Sequence, residues 1–441
     1  MKTSKEQEAP VKETIVQLLS NLGNPKEFNQ YMSRFVEAGL SRFAVIKVGG
    51  AVLDDDLESL CSSLAFLERI GLFPIVVHGA GPQLNRNLSK ADIESKFIDG
   101  QRVTSSDVLK IAKKTFIEQN LKLANRLQEK GVKTSSLTSG VFAAKQTDQK
   151  ELGFVGEVTD IDLDPINLSI EAGAVPILSS LAESSTGQTL NVNADMATNQ
   201  LCIAINPYKI IFLTGTGGLL DKEGKIISSV NLITDYTKMM QEDWLHGGMK
   251  LKIQQVAQIL SELPSTSSVS ITKPSHLAKE LFTHKGSGTL IRKGESIMTH
   301  EDIETIKTKK LREVIEKSFA KILDEDYFEV TKIQRAYITY CYRAAAVVID
   351  INGIPYLDKF VVADEAKGEG LGKVLWEKVR EQHPSLHWRA RPENTINGFY
   401  FKNADGCIKS DEWNIFWYGL DRFKDIEQCV EQAKKKIPTV S

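Results

Sequence analysis

One stretch joins a cation to a glycine pair directly after an apolar run. Residues 43–53 read FAVIKVGGAVL, so the run carries Lys47 and then Gly49 and Gly50. A continuous β-branched run is typical of a strand covered on both faces, and glycines let backbone N–H groups approach an anion closely. The pattern predicts a buried strand that opens into an anion-binding turn beside a lysine. The alternative is a core strand with an ordinary turn and a surface lysine.

Two further apolar strands also end in glycines. Residues 73–78 lead into Gly79, Ala80 and Gly81, and residues 209–214 lead into the turn Gly215, Thr216, Gly217, Gly218. Open α/β sheets bind ligands outside the carboxyl ends of their strands. We therefore expect the three turns to meet at one edge of a mainly parallel sheet and to form a phosphate-handling crevice.

The elements around these turns alternate between strand and helix. The spacing predicts two helices before the first strand, over 11–22 and 28–40. It also predicts a helix that is capped by the aspartates at 54–56 and runs to about Ile70. Further helices are expected over 105–130, 247–263 and 276–283, and a further strand over 268–272. This is the pattern of an open sheet sandwiched by helices, preceded by a helical arm at 1–40. The first domain should cover 41–292.

A second, smaller α/β domain is predicted over 293–441. Its elements are a helix ending near Phe319, short strands near Phe328, Ala336, Ala345 and Leu357, a glycine-rich turn that opens a helix over 373–380, and strands at 386–388 and 415–417.

Composition excludes several classes of protein. The 441 residues favour two domains, and 41% hydrophobic with 25% charged residues is typical of a globular protein without a membrane role. Five scattered cysteines predict neither a disulfide framework nor a metal site. The net charge of −2 gives no general attraction for nucleic acid. The first residues lack a signal or transit pattern, so we expect a cytoplasmic protein.

Five short motifs occur in the order seen in acetylglutamate kinases of the amino acid kinase family. They are KVGG at 47–50, HGAG at 78–81, GQRVT at 100–104, NVNAD at 191–195 and GMKLK at 248–252. The resemblance implies the amino acid kinase fold and transfer of a phosphoryl group from ATP, with Mg²⁺, to the side-chain carboxylate of N-acetyl-L-glutamate. Such a transfer between anions needs charge neutralisation and alignment more than covalent chemistry.

The resemblance also implies roles for single residues. Lys47 and Lys252 match the transition-state lysines, and Asp195 matches the acid that orients them. The acetylated amino acid would be held by Gly49, Gly50, Ala80, Gly81, Arg102 and Asn191, and the nucleotide by Gly215, Thr216, Gly217, Gly218 and Lys250. Ala80 departs from the glycine of many relatives. The alternatives are that Asp195 caps a helix and that Lys250 and Lys252 lie on a solvated helix face.

Residues 367–372, KGEGLG, fit the [Q/R]-x-x-G-x-G/A turn of the GNAT acetyltransferases, with lysine in the first place. Together with residues 356–362, 388–391, 394, 397–400 and 405–406, the turn resembles the synthase domain of N-acetylglutamate synthases. The resemblance implies a GNAT-type domain that binds acetyl-CoA, since amides at a helix N-terminus suit a pyrophosphate. The implied contacts are Val361, Val362, Lys367, Gly368, Gly370, Leu371 and Gly372.

The same resemblance implies the chemistry of acetyl transfer to L-glutamate. Tyr400 would protonate or hydrogen-bond the leaving thiolate, with Asn394 and Lys359 positioning the substrate. Arg391 and Arg343 would bind its carboxylates or else cover the surface. The base for the amine is left open between Asp358 and water, and Tyr400 is alternatively part of an aromatic core.

Residues 275–289 resemble the segment that lines the arginine site of arginine-sensitive acetylglutamate kinases. The resemblance implies L-arginine as an allosteric inhibitor bound near Glu280, Gly286 and Gly288; the alternative is a simple capped helix ending.

Taken together, the motifs resemble the bifunctional N-acetylglutamate synthase/kinases of arginine biosynthesis, which implies a homo-oligomer, with a tetramer as one candidate. One alternative is a synthase whose kinase domain is only an arginine-binding regulatory module. Another is an active kinase carrying a non-catalytic interaction module.

Overall fold

The chain divides into two compact units, residues 1–293 and 294–441. The computed structural model describes residues 31–33, 35, 39, 43–98, 100–245, 247–264, 267–283, 286–367 and 370–441. Most of the predicted arm at 1–40 and Gly368 of the predicted coenzyme A turn lie outside these ranges. Within them, every helix falls short of the length and apolarity that a bilayer-spanning segment needs.

The first unit alternates strands and helices. Its strands are β1 (Ala44–Val48), β2 (Ile75–His78), β3 (Phe97–Ile98), β4 (Gln101–Arg102), β5 (Thr134–Leu137), β6 (Phe142–Gln146), β7 (Gly156–Ile161), β8 (Val175–Ser179), β9 (Leu181–Glu183), β10 (Thr189–Asn191), β11 (Lys209–Leu213), β12 (Ser229–Asn231), β13 (Ser268–Thr272) and β14 (Thr289–Arg292). Its α-helices are α1 (Gly50–Asp55), α2 (Leu57–Arg69), α3 (Gly81–Lys90), α4 (Ser106–Glu129), α5 (Asp164–Glu171), α6 (Ala194–Ile205), α7 (Leu232–Gln241), α8 (Gly247–Glu262) and α9 (Leu277–Phe282).

An eight-stranded sheet forms the centre of the first unit, in the order β12-β14-β13-β11-β1-β2-β8-β5. Every neighbouring pair is parallel except β13 with β14. Strands β11, β1 and β2 lie side by side, so the glycine turns that follow them share one edge. The predicted mainly parallel sheet and the convergence of its turns are confirmed.

The sheet is covered on both faces because its central strands alternate between two cores. Val45 of β1 packs in the core that contains Leu201 of α6 and Ile253 of α8. Ile46 packs on the opposite face, with Leu60 of α2. Since successive side chains of a strand point to opposite faces, Lys47 leaves β1 on the same face as Val45, toward α6 and α8.

The helix predicted after the aspartates is α2, which ends at Arg69 and has Asp56 at its N-cap position, although the Asp56 side chain makes no capping hydrogen bond. An additional helix, α1, begins at Gly50, ahead of the three aspartates, and was not predicted. Val52 and Leu53 are buried, so the apolar run continues as a helix against the core. Near the other end, a 3₁₀ turn (Pro274–His276) precedes α9, which is shorter than predicted.

The second unit is a seven-stranded sheet in the order β15-β16-β17-β18-β19-β21-β20. Its strands are β15 (Ile297–His300), β16 (Ile333–Thr339), β17 (Ala344–Ile351), β18 (Ile354–Val362), β19 (Leu386–Ala390), β20 (Gly406–Lys409) and β21 (Asn414–Tyr418). Its α-helices are α10 (Thr308–Phe319), α11 (Tyr327–Val330), α12 (Leu371–Gln382), α13 (Asn397–Asn403) and α14 (Phe423–Lys435).

One predicted strand of this unit is wrong. Residues around Phe328 form the helical turn α11, in which Tyr327 is fully buried and donates its hydroxyl to Asp358 Oδ2 at 2.7 Å. This tertiary contact overrides the β propensity of a Tyr-Phe pair. The strands predicted at Ala336, Ala345 and Leu357 are present. Strands β15 and β20 were not predicted.

Two irregularities of β18 shape the second unit. The register between β17 and β18 shifts so that Val347 faces Lys359 and Val348 faces Leu357, which leaves Asp358 as an extra residue. On its other side, β18 pairs with β19 in parallel at Tyr356 and His387 only. The later residues of β18 therefore have no ladder partner in β19.

Candidate active sites

Three charged side chains meet at the carboxyl end of β1. Lys47 Nζ lies 2.6 Å from Asp195 Oδ1. Lys252 of α8 shares their surroundings: burial lowers the pKa of its amine, the charge of Lys47 lowers it further, and Asp195 raises it. Two cations and one carboxylate leave this cluster with a net positive charge. The three residues that the resemblance implied as catalytic are thus neighbours.

Helix α6 places Asp195 in this cluster. Its N-cap is Asn193, whose Oδ1 accepts from the amides of Asp195 at 2.8 Å and Met196 at 3.4 Å. The alternative that Asp195 is the helix cap is therefore wrong. Because Asp195 lies in the first turn of α6, its side chain stands at the positive end of the helix dipole and faces Lys47.

A cavity of about 280 Å³ adjoins the cluster. The predicted residues that line it are Lys47, Gly50, Ala80, Gly81, Arg102, Asn191 and Asp195. Gly49 lies outside the lining, as the N-cap of α1. Ser180 and Asn193 also line the cavity and were not predicted.

Besides Lys47, the cavity is lined by a second cationic side chain, Arg102, which is held by several contacts. Its Nη2 donates to Asn85 Oδ1 at 2.6 Å, its Nη1 donates to Ser95, and its guanidinium lies 4.6 Å from the centre of the Phe97 ring. Asn191 is fixed by a bond from its Nδ2 to Thr104 Oγ1 at 3.1 Å. The cavity therefore offers a fixed guanidinium that suits a carboxylate.

The turn after β11 is built by its own threonines. Thr214 Oγ1 accepts from the Gly217 amide at 3.1 Å, and Thr216 Oγ1 donates to the Gly218 carbonyl at 3.2 Å. A Cβ at Gly217 would lie 2.6 Å from Lys273 Cγ, so the stem of Lys273 rests on this turn. Lys273 follows β13, the neighbour of β11, and was missed. The predicted Lys250 donates to the Met240 carbonyl at 3.1 Å.

The second unit holds a smaller cavity, of about 150 Å³, beside the irregular part of β18. Three predicted residues line it: Lys359, Arg391 and Asn394. Arg389 and Arg391, two residues apart on one side of the chain, both stack on the Trp413 ring, at 3.8 and 3.9 Å from its centre. Five basic residues line this cavity: Lys321, Lys359, Arg389, Arg391 and Lys436. Its charge suits a small carboxylic acid.

Comparison with known proteins assigns both units. The sequence model of the amino acid kinase family matches residues 42–271. The chain belongs to the amino acid kinase family. A second model, described as the N-acetyltransferase of N-acetylglutamate synthase, matches residues 298–436. The chain is therefore a transferase made of a kinase unit and an acetyltransferase unit, and the predicted family and fold class are confirmed.

Relatives resemble the chain over nearly its whole length. An acetylglutamate kinase of Xanthomonas campestris is 50% identical over 424 residues, which cover 95% of this chain and 100% of the relative. A mitochondrial N-acetylglutamate synthase of Danio rerio is 29% identical over 421 residues, which cover 93% of this chain and 77% of the relative.

A solved structure resembles the chain over most of its length. The N-acetylglutamate synthase of Neisseria gonorrhoeae complexed with coenzyme A and N-acetyl-glutamate has a TM-score of 0.62 at 16% identity, over 91% of this chain and 100% of that chain. The same synthase complexed with coenzyme A and L-arginine has a TM-score of 0.59 at 15% identity, over 90% of this chain and 98% of that chain. At these identities the likeness shows the fold alone.

In the acetyltransferase unit, Tyr400 lies in an aromatic cluster. Its ring is 5.5 Å from those of Trp388 and Phe416 and 6.1 Å from that of Trp376, and it is absent from the cavity lining. Burial raises the pKa of its hydroxyl, which therefore stays protonated at neutral pH. The structure thus places Tyr400 in the core of this unit. Its role as a proton donor stays a prediction.

The predicted coenzyme A contacts surround the start of α12. Gly370 is the N-cap of this helix, and Leu371 and Gly372 are its first residues. Gly372 approaches the Val362 side chain, which a Cβ would meet at 3.4 Å. Lys367 pairs with Asp364 at 2.5 Å on the surface. Val361 and Val362 end β18 where it has separated from β19. The N-terminus of α12 thus lies beside the unpaired edge of β18. Amides at a helix N-terminus suit the phosphates of coenzyme A, and an unpaired strand edge suits a ligand chain that contains amide groups.

The predicted allosteric residues form one turn of the kinase unit. Glu280 is buried, and its Oε2 accepts from the amides of Ser287 at 2.8 Å and Gly288 at 3.3 Å. A Cβ at Gly288 would lie 2.0 Å from the Ile271 carbonyl oxygen, so only glycine fits there. The Glu280 carboxylate therefore holds this turn, a role that was not predicted.

Two cavity residues that were not predicted, Lys436 and Thr439, have partners that are distant in the chain. Asp358 and Lys436 pair at 3.1 Å, and Thr439 accepts from Lys359 at 2.6 Å. Arg343, considered as a carboxylate ligand, instead pairs with Glu295 at 2.5 Å and is absent from the cavity lining. The alternation of Arg389 and Arg391 was a usable signal. Nothing in the sequence marked Lys436 or Thr439.

Proposed function

We propose that the chain is a bifunctional enzyme of arginine biosynthesis. The acetyltransferase unit transfers the acetyl group of acetyl-CoA to L-glutamate, and the kinase unit phosphorylates the resulting N-acetyl-L-glutamate with ATP to N-acetyl-L-glutamyl 5-phosphate. The observation that carries the proposal is the contact of Lys47 with Asp195 beside a cavity that holds a fixed Arg102. A kinase unit reduced to a regulatory module would have no need of this cluster.

In the kinase reaction, Lys47 and Lys252 neutralise the transferring group, and Asp195 orients Lys47. Arg102 and Asn191 hold the acetylated amino acid, while Gly50 and Gly81 offer backbone amides to its reacting carboxylate. The turn Gly215–Gly218 and Lys250 contact the nucleotide. Mg²⁺ enters with ATP; the described residues contain no group of three or more acidic, histidine or cysteine side chains arranged to hold a metal ion.

In the acetyl transfer, Lys359, Arg391 and Asn394 receive the carboxylates of glutamate in the basic cavity. Coenzyme A lies along the open edge at Val361 and Val362, with its phosphates at Gly368, Gly370 and Gly372. The amine attacks the thioester carbonyl, and its excess proton leaves to water. Tyr400 hydrogen-bonds or protonates the thiolate as it departs.

A paired assay on the purified protein tests both halves. We expect release of coenzyme A with glutamate and acetyl-CoA, and release of ADP with N-acetyl-L-glutamate and ATP. Absence of ADP release would contradict the kinase half and favour the synthase with a regulatory module. Absence of coenzyme A release would favour the kinase with an interaction module.

The role of Tyr400 has a separate test. The change Tyr400→Phe keeps the ring packing and should lower kcat for acetyl transfer more than it raises KM, because it removes a donor used as the thiolate develops. Tyr418→Phe, in the same aromatic cluster, is the control and should leave kcat unchanged. An unchanged kcat for Tyr400→Phe would return this residue to the core and leave water as the proton source.

L-arginine is proposed as an inhibitor that binds near α9 and the turn that follows it. The proposal is supported by the arginine complex of the Neisseria synthase and by the packing of Phe35, from the predicted arm, on Phe282 of α9 with ring centres 5.6 Å apart. A coupling of about 1–3 kcal/mol would change activity roughly 5–150-fold.

The test of this inhibitor titrates L-arginine against both activities in the parent and in Glu280→Gln, with the exposed Glu262→Gln as control. Glutamine still offers an oxygen to the turn amides but lacks the charge. Weaker inhibition in Glu280→Gln alone supports the site. Insensitivity of the parent at millimolar arginine, or inhibition purely competitive with glutamate, would contradict it.

A cytoplasmic location and a homo-oligomeric state remain part of the proposal.

A further inference from the structure

The segment after α14, residues 436–441, is a wall of the acetyltransferase cavity. Lys436, Thr439 and Val440 belong to the cavity lining. The segment runs antiparallel to residues 322–324: the amides of Ile322 and Ser441 donate to each other's carbonyls, each at 3.1 Å, and the Asp324 amide donates to the Thr439 carbonyl at 3.1 Å. Backbone hydrogen bonds thus fix where its side chains stand.

Thr439 orients the ammonium of Lys359. Lys359 Nζ donates to Thr439 Oγ1 at 2.6 Å and to Asp358 Oδ2 at 2.6 Å. Among the described residues these two acceptors take two of the three donors of the ammonium. The amine also lies 4.7 Å from the centre of the Tyr327 ring, so protein groups surround it on three sides. The remaining direction is that of the cavity, which Lys359 lines.

Lys436 sets the charge of the same cluster. Its Nζ lies 3.1 Å from Asp358 Oδ1, while Tyr327 and Lys359 both donate to Oδ2. Burial opposes ionisation of Asp358, but the two lysines and the Tyr327 hydroxyl hold the pKa of this carboxyl below its usual value. With Lys436 present the group of two lysines and one carboxylate carries a net positive charge. Without it the charge of Lys359 would be cancelled.

We propose that Lys436 and Thr439 are positioning residues for acetyl transfer, which act through Lys359 and raise the affinity for the carboxylate of the amino-acid substrate. The inference rests on the proposed acetyltransferase function. Lys436 offsets the charge of Asp358, so that the cluster of Lys359, Asp358 and Lys436 presents a net positive charge to the substrate. Thr439 holds the ammonium so that its third N–H points into the cavity. Neither residue touches the reacting atoms.

The test compares KM for glutamate with kcat in four variants. Lys436→Met should raise KM by about tenfold or more and change kcat by less than about threefold, because the lost interaction acts on binding. Lys435→Met is the matched control, since Lys435 is the exposed neighbour of Lys436 and its ion-pair partner is Glu431, at 3.9 Å. Thr439→Val should raise KM, and Thr439→Ser, which keeps the hydroxyl, should restore it.

The outcomes separate this inference from the function on which it rests. If the parent releases no coenzyme A, the proposed function fails. If the parent is active but Lys436→Met and Lys435→Met have the same KM, the positioning role is overturned. It is also overturned if Thr439→Val lowers the thermal midpoint and kcat without raising KM, or if Thr439→Ser behaves like Thr439→Val. An unchanged thermal midpoint together with a retained kcat for acetyl transfer checks that the acetyltransferase unit of each variant is intact.

Discussion

At the scale of single residues, the kinase unit depends on a lysine whose direction follows from strand geometry. Lys47 shares a face of β1 with Val45 and so meets Asp195 on α6. Lys47→Ala should lower phosphoryl transfer by about a hundredfold or more, the usual loss when a contact to developing charge is removed. Coupled measurement of ADP release gives the rate.

Acetyl transfer by the same variant should stay close to that of the parent, because Lys47 lies in the other compact unit. Lys145→Ala, which removes an exposed lysine paired with the surface acids Asp148 and Glu157, is the control for phosphoryl transfer. Retention of ADP release within a few-fold of the parent would show that Lys47 is not catalytic.

A second prediction for a single residue concerns acid stability. His78 ends β2 fully buried, and burial lowers its pKa to about 4. Its pKa in the unfolded chain is near 6.5, so the unfolded state binds more protons between these values. The free energy of unfolding should therefore fall as pH is lowered from 6.5 toward 4, by about 2 kcal/mol at pH 5 from this residue alone.

Urea unfolding at pH 7 and pH 5 measures this effect in the parent and in His78→Gln. The variant should lose less stability between the two pH values, because glutamine takes up no proton. His276→Gln changes a histidine of the same unit that is exposed to solvent and serves as the control. An equal loss in the parent and in His78→Gln would contradict the assignment.

At the scale of elements, the start of α6 couples stability to catalysis. Asn193 caps the helix whose first turn carries Asp195. Asn193→Ala should lower the free energy of unfolding by about 1 kcal/mol. It should also lower phosphoryl transfer, since a frayed first turn no longer holds the carboxylate beside Lys47.

Asn231 gives a matched comparison, because it caps α7 in the same unit by accepting from the Ile233 amide at 3.0 Å. Asn231→Ala should cost a similar amount of stability and leave ADP release unchanged. Thermal unfolding and steady-state kinetics on both variants decide the matter. If Asn193→Ala and Asn231→Ala had the same effect on ADP release, the Asn193 cap would matter only for stability.

At the scale of the whole molecule, the two units have separate hydrophobic cores. One core runs through 306–433 and involves only residues of the acetyltransferase unit, while the two large cores of the kinase unit cover the faces of its own sheet. We expect residues 1–293 and 294–441, expressed separately, each to fold and to retain one activity. Each fragment is assayed for ADP and coenzyme A release. A fragment that unfolds, or that shows the other activity, would contradict the assignment of roles to the units.

The sequence by itself determined the features that depend on neighbours in the chain. Buried strands, the glycine turns after them and their common edge follow from local pattern and from the rules of parallel sheets, and the helix over Ser106–Glu129 follows from its cap and periodicity. Two of the five family motifs, at 47–50 and 78–81, lie in these turns. Lys47, Arg102 and Asp195 were candidates before any geometry was known because the motifs that contain them resemble those of a known family.

Only the tertiary structure decided where the chain departs from its local preference. Helix α1 begins at Gly50 because Val52 and Leu53 are buried against the core, and α11 replaces a strand because Tyr327 bonds to Asp358. The cluster around Lys359 needs the bulge at Asp358 and the hydroxyl of Thr439, which lies 80 residues further along the chain. Such contacts join residues distant in sequence, and their free energy comes from burial and charge pairing that no local pattern encodes.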